Sequence, residues 1–306
     1  MEVSNNGIRL DEATGVIAHR DIASINPTEL DGITINRTKS KIDPFVEIRK
    51  ERLVDKLTGA PSRSFGIWVP DPTGVEGWRD MGTVSENYLL LTNAEARSVA
   101  LEIAEESGHP FKESRIFWDG ARFAHIVDFT EVVDEVEGED KVGLSLITRT
   151  IYDRSWRYEA ALMGKRFLCD NGALSGEFFA RVSFKHMQSA NADDEPWEEI
   201  VKQGLGIISQ AGENLYLFVE ALRRLKQASM TDNHLRAVWQ ALPRLGDSIK
   251  GKIMSRYVER EEPTLYGLFN AGTNVLWHNN KLTAADFANN DVFTSALIKY
   301  AFENLN

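Results

Sequence analysis

The sequence predicts an α+β fold: a central antiparallel strand meander followed by a helical C-terminal third. Three observations carry this. Between residues 65 and 190, apolar residues alternate with polar ones in short blocks separated by Gly, Asn and Asp. From residue 195 onward they recur at spacings of three and four instead. Between RIFW and RFAHIVDF stands Asp119-Gly120, a dipeptide that accepts the positive φ of a tight hairpin. The expected organisation is a mixed N-terminal segment over 1–64, a strand-rich core over 65–190 and a helical region over 195–306.

The N-terminal segment is polar and has little periodicity. It holds a short strand candidate at Ile33 to Ile35 and a basic run from Arg37 to Arg52. Asp43, Glu47 and Glu51 interrupt that run, so a solvated face is expected there. Phe65 to Val69 reads as a strand and the following PDPTG as a turn. Tyr88 to Leu91 is a further short strand candidate. Thr92 or Asn93 is placed to cap a helix over Ala94 to Ser107, which Gly108 and Pro110 stop. On the second strand of the Asp119-Gly120 hairpin, Phe123, His125, Val127 and Phe129 share a face by period two.

From Val142 to His186 the chain reads as successive strands: VGLSLITRTIY, WRYEAALM, KRFLC, an Asp170-Asn171-Gly172 turn, then EFFARVSFKH. In the last, Phe178, Ala180, Val182 and Phe184 oppose Phe179, Arg181, Ser183 and Lys185. This predicts a sheet with one buried face and one polar, partly basic face. Helical spacing then runs through Leu215, Phe218, Val219, Leu222 and Leu225. Asp232 or Asn233 is positioned to cap HLRAVWQAL, which Pro243 ends. DSIKGKIMSRYVER, TLYGLFNAGTNVLWH and a last helix opened by Thr283 and Asp286 follow, with Phe293, Leu297 and Tyr300 on one face.

Charge narrows the function classes less than the net −11 suggests. Residues 131–140 hold six acids and no base, and 193–199 hold five acids and no base. Outside these two clusters, each expected to be a solvated loop, acids and bases balance, so basic surfaces remain open to the fold. A single cysteine excludes an internal disulfide framework and fits a cytoplasmic protein. No secretory leader and no membrane span is expected.

Catalytic patterns are sparse. The six histidines are scattered without ligand spacing, and Cys169 sits beside Phe167 and Leu168 as a small apolar residue would. Gly204-Leu-Gly206 lies within a helical pattern and lacks the Gly-Lys of a phosphate loop. No catalytic residue, metal or cofactor is expected. Basic and aromatic residues do cluster in the strand region: Arg149, Arg154, Trp156, Arg157, Tyr158, Lys165, Arg166, Arg181 and Lys185. Single-strand binders combine cations for phosphates with aromatic platforms for bases, and this is the candidate nucleic-acid set. A second basic run, Arg223 to Arg260, holds nine bases against three acids.

YEAALMGKRFLCDNGAL, with its Cys169-x-Asn171-Gly172 strand end, precedes a long helical region and then YGLFNAGTNVLWHNNKL. Over residues 80 to 304 this order resembles the phage/plasmid-like family known as domain of unknown function 932. The resemblance implies a protein encoded by phages or mobile elements and supplies no catalytic residues. The expected function is single-stranded DNA binding in phage or mobile-element DNA metabolism, as an annealing or recombination protein acting as a homo-oligomer. The alternative is a protein-binding module, an inhibitor of a host defence complex or a self-assembling phage component with a host or phage protein partner.

Overall fold

A computed structural model describes residues 9–11, 16–18, 33–37, 43–71, 77–138, 140–152, 157–166, 171–173, 181–184, 196–277 and 284–305. The chain divides into two compact units, Met1–Ile33 and Thr34–Asn306. In the first, β1 (Arg9–Asp11) pairs antiparallel with β2 (Val16–Ala18).

The second unit carries two sheets and the helices. The smaller sheet joins β4 (Arg49–Val54), β5 (Pro61–Pro70) and β6 (Trp78–Ser85) in sequence order. The expected boundary at residue 64 therefore falls inside a strand. Ile67 and Val69 of β5 are buried, and Lys50 reaches from β4 to the carbonyls of Glu86 and Tyr88 at 2.5 and 2.7 Å. Tyr88 to Leu91 consequently forms no strand; its Tyr88 carbonyl is committed to Lys50, and the segment leads straight into a helix cap.

That helix is α1 (Asn93–Glu106). Thr92 Oγ1 accepts from the Glu95 amide while the Glu95 carboxylate accepts from the Thr92 amide, a full capping box. Val99, Ala100 and Ile103 point inward.

The larger sheet contains β3 (Thr34–Arg37), β7 (Phe111–Trp118), β8 (Arg122–Glu137), β9 (Asp140–Ile151), β10 (Tyr158–Arg166), β11 (Asn171–Ala173) and β12 (Arg181–Phe184). Strands β7 to β10 form the expected antiparallel meander, β3 runs parallel to β7, and both β11 and β12 pair with β10. Asp119 closes the β7–β8 turn by accepting from the amides of Ala121 and Arg122, and Gly120 takes φ 88°.

Two local expectations change. Asn171 and Gly172 pair with Arg166 and Lys165 in the ladder, so the reversal falls before Asn171. Cys169 and Asp170 lie outside the described residues. The acidic run 131–140 is no loop: it is the far end of β8, a turn at Gly138 with φ 61°, and the start of β9.

The central strands are buried on both faces, not one. By period two, His125, Thr148, Ala160 and Gly164 share the first face, which α1, α2 (Pro196–Ile208) and α3 (Ala211–Gln227) cover. Ala124, Ile126, Ile147, Ala161 and Met163 share the second. There they pack with Trp277 of α6 (Leu265–Trp277) and Phe287 of α7 (Ala284–Asn304). α6 starts against the first face, where Tyr266 meets Arg166, and ends against the second. On β12, Val182 and Phe184 are half-buried while Arg181 and Ser183 are exposed, as alternation predicts.

Gly164 is required by close approach. A Cβ there would stand 2.7 Å from Phe218 Cε1, so the buried ring would have to shift to admit it. Gly164→Ala is expected to cost about 1–3 kcal/mol in chemical denaturation, the range for overpacking. An unchanged midpoint would show that the Phe218 ring yields.

Candidate nucleic-acid interface

The predicted cations of the strand region do not form one open basic face. Each pairs with a carboxylate, apart from Arg157 and the residues not described. On the second sheet face, Arg149 pairs with its cross-strand neighbour Glu159, and both are buried at 4% and 8% exposure. The Arg149 guanidinium lies 4.5 Å above the Phe287 ring. Burial pushes it below its ordinary pKa, against the pull of Glu159. Lys165 Nζ bonds Asp128 Oδ2 at 2.7 Å, and Ser145 donates to Asp128 Oδ1 at 2.7 Å. Arg181 meets Asp291 of α7 at 3.0 Å.

Arg166 and Tyr158 belong to the first face. Arg166 forks onto Asp140 at 2.6 and 2.9 Å, and Tyr266 donates to the same carboxylate at 2.7 Å. Tyr158 is fully buried under the helices, so its ring is a core side chain and offers no platform to a base. Arg157 is exposed at the start of β10 and makes no ion pair among the described residues. Arg154, Trp156 and Lys185 lie outside the described residues.

These pairs follow from strand register. Alternation places Arg149 opposite Glu159, and one β-bulge separates Asp128 from the acidic end of β8. A phosphate reaching Arg149, Lys165 or Arg166 would have to displace a buried carboxylate, a costly exchange.

The second basic run is divided by the fold. Its α3 members are matched: Arg223 with Asp134, Arg224 with Glu220, and Lys226 with Glu137. Its later members sit on α4 (Asp232–Ala241), α5 (Asp247–Arg260) and the turn between them, a stretch with six bases and three acids in sequence. Thr231, not Asp232 or Asn233, caps α4 by accepting from the His234 amide. Val238 and Leu242 anchor the pair inward with Leu245 and Ile253.

The outward side of α4 carries a shallow, open groove lined by Asp232, Leu235, Arg236, Trp239 and Gln240. Helical spacing of three and four brings these side chains onto one face. Trp239 is half-buried, and Lys250 Nζ lies 5.9 Å from its ring centroid. Arg236, Arg244 and Lys252 are exposed and make no ion pair among the described residues. Lys250 stands 3.9 Å from the exposed carboxylate of Asp247. Trp239 was not among the sequence candidates; the signal was an aromatic three residues after Arg236 inside the second basic run.

No group of three or more His, Cys, Asp or Glu residues is arranged to hold a metal ion among the described residues. No helix among them is long and apolar enough to cross a membrane.

No curated protein and no solved structure matches the chain. The family model for a domain of unknown function, DUF932, matches residues 80–297, from the middle of β6 through most of α7. With more than half of its length matched, the chain belongs to the DUF932 family.

Proposed function

We propose that this chain binds single-stranded DNA as an annealing or recombination protein of a phage or mobile element, and that α4 and α5 form the contact surface. The carrying observation is the groove: a half-buried Trp239 ring with Arg236 in the same wall and Lys250 beside it. Flexible single strands present unstacked bases and closely spaced phosphates together, which an aromatic surface ringed by cations accommodates. Arg244 and Lys252 extend the positive surface. Arg157 and the partly exposed Arg181 are the members of the strand set that keep an outward position.

The test is titration of a labelled single strand at several salt concentrations with the wild-type chain and Trp239→Ala. Loss of one stacking contact is worth about 1–3 kcal/mol, roughly a five- to 150-fold weakening. No binding at low salt, or Trp239→Ala binding as tightly as wild type, overturns the reading.

A protein-binding role is the second reading, supported by the adjacent exposed Tyr216 and Leu217 on α3. Particle mass measured with and without single-stranded DNA separates the two: an assembly that changes size with DNA supports the first, a DNA-indifferent one the second.

A further inference from the structure

The basic run from Arg223 to Arg260 is continuous in sequence, yet its first part meets the acidic end of the β8–β9 hairpin. Arg223 Nη2 lies 3.1 Å from Asp134 Oδ1 and also donates to the Glu135 carbonyl oxygen. Lys226 Nζ lies 2.8 Å from Glu137 Oε2 and 3.9 Å from Glu262 Oε1. The Glu137 side chain is 70% exposed while those of Arg223 and Lys226 are 32% and 22% exposed. At Lys226 a phosphate therefore meets the Glu137 carboxylate first, while at Arg223 the Asp134 carboxylate, 30% exposed, lies level with the cation and already holds it.

We infer that the hairpin tip is a built-in anionic cover that withholds Arg223 and Lys226 from nucleic acid, so that a bound single strand stops at α4 and α5. The inference rests on the reading of the groove given above. It adds a regulation: whatever lifts or neutralises the tip lengthens the footprint.

The tip is secured independently of the pairs that form the cover. Arg166 and Tyr266 hold Asp140 at the base of β9, and Gly138 makes the turn. The hydrogen bond that Lys226 donates to Glu137 raises its ammonium above the ordinary pKa. Partly exposed pairs of this kind add little to stability. Their removal thus changes the surface field and leaves the fold in place.

The experiment measures affinity against salt for an oligothymidylate with three proteins: wild type, Asp134→Asn/Glu137→Gln and Arg223→Ala/Lys226→Ala. Each phosphate contact contributes about 0.7 to the logarithmic salt slope on single strands. Neutralising the tip frees two cations, so binding is expected to tighten and the slope to steepen by about 1.4. Arg223→Ala/Lys226→Ala should keep the wild-type slope, because those cations are already withheld.

A slope that turns shallower in Arg223→Ala/Lys226→Ala overturns the inference, as does a neutralised tip with unchanged slope and affinity. Should the neutralised tip lose its cooperative thermal transition, the Arg223→Ala/Lys226→Ala slope decides alone. A wild-type chain that binds no single strand overturns the reading of the groove, and the cover with it.

Discussion

Glu159→Gln is expected to lower the unfolding free energy by about 3–5 kcal/mol, the cost of leaving one member of a buried ion pair without its partner. Arg149 is 4% exposed, sits over Phe287 and is desolvated enough that burial already depresses its pKa. Removing the Glu159 charge takes from that buried guanidinium the carboxylate that pairs with it across the strands. The double change Arg149→Met/Glu159→Leu should recover most of the loss, because apolar residues of similar volume replace a buried pair at little net cost. Chemical denaturation of the three proteins checks this. A single variant within about 0.5 kcal/mol of wild type would mean water reaches Arg149. On the proposed function, the double variant should match wild type in single-stranded DNA titrations, since the pair belongs to the sheet core.

The second large effect lies under α1. Arg97 forks onto Glu113, with Nε 2.6 Å from Oε1, and His125 Nε2 stands 2.8 Å from the same oxygen. Burial alone would raise the Glu113 carboxyl, but the hydrogen bonds and charges of His125 and Arg97 outweigh it and hold it at about 2. His125 is completely buried, and with Arg97 already balancing Glu113, burial keeps the imidazole below its ordinary value and neutral at pH 7. Glu113→Gln should cost about 3–5 kcal/mol, because Arg97 is only 4% exposed.

Both groups have folded pKa values below their unfolded ones, so the unfolded chain binds more protons and acid destabilises. The His125 contribution is complete above its ordinary value of 6.5 and declines as the pH falls below it. The Glu113 contribution is complete above its ordinary 4.5 and is lost progressively toward about 2. Unfolding free energy measured against pH should therefore fall in two stages. His125→Gln should abolish the upper stage and shrink the lower one, because the His125 hydrogen bond is the largest of the pulls that hold Glu113 down, with Arg97 left to supply the rest. A flat wild-type profile between neutrality and pH 5 would contradict the assignment.

Local chemistry was legible wherever a few neighbouring residues decide the outcome. Thr92 or Asn93 announces the start of α1 because a cap acts within one turn, and the structure selects Thr92, with Glu95 completing a capping box. Asp119-Gly120 announces the β7–β8 reversal because the aspartate bonds amides two and three residues ahead. Alternation along Arg181 to Phe184 sorts its faces correctly because a strand's period is two wherever it sits. Asn171-Gly172 misled for the complementary reason: its turn preference is weak beside the ladder bonds available from β10.

The candidate interface was less legible, since sequence charge does not reveal its counter-charge. Arg166 meets Asp140 from 26 residues away, Lys165 meets Asp128 from 37, and Arg223 meets Asp134 from 89. Nothing near Lys165 in sequence announces Asp128. The acidic run 131–140 read as solvated for the same reason, although its carboxylates partner α3, β10 and α6.

By itself the sequence determined the α+β class, the meander, the cap of α1 and the basic character of residues 223–260, all properties of short windows or of composition. Only the tertiary structure decided which cations remain available to a ligand. Strand register and helix packing brought carboxylates from distant segments onto Arg149, Lys165, Arg166, Arg223 and Lys226, and left Arg236, Trp239 and Lys250 along an open groove. Charge acts through space over several ångströms, so its meaning is set by folded neighbours and not by neighbours in the chain.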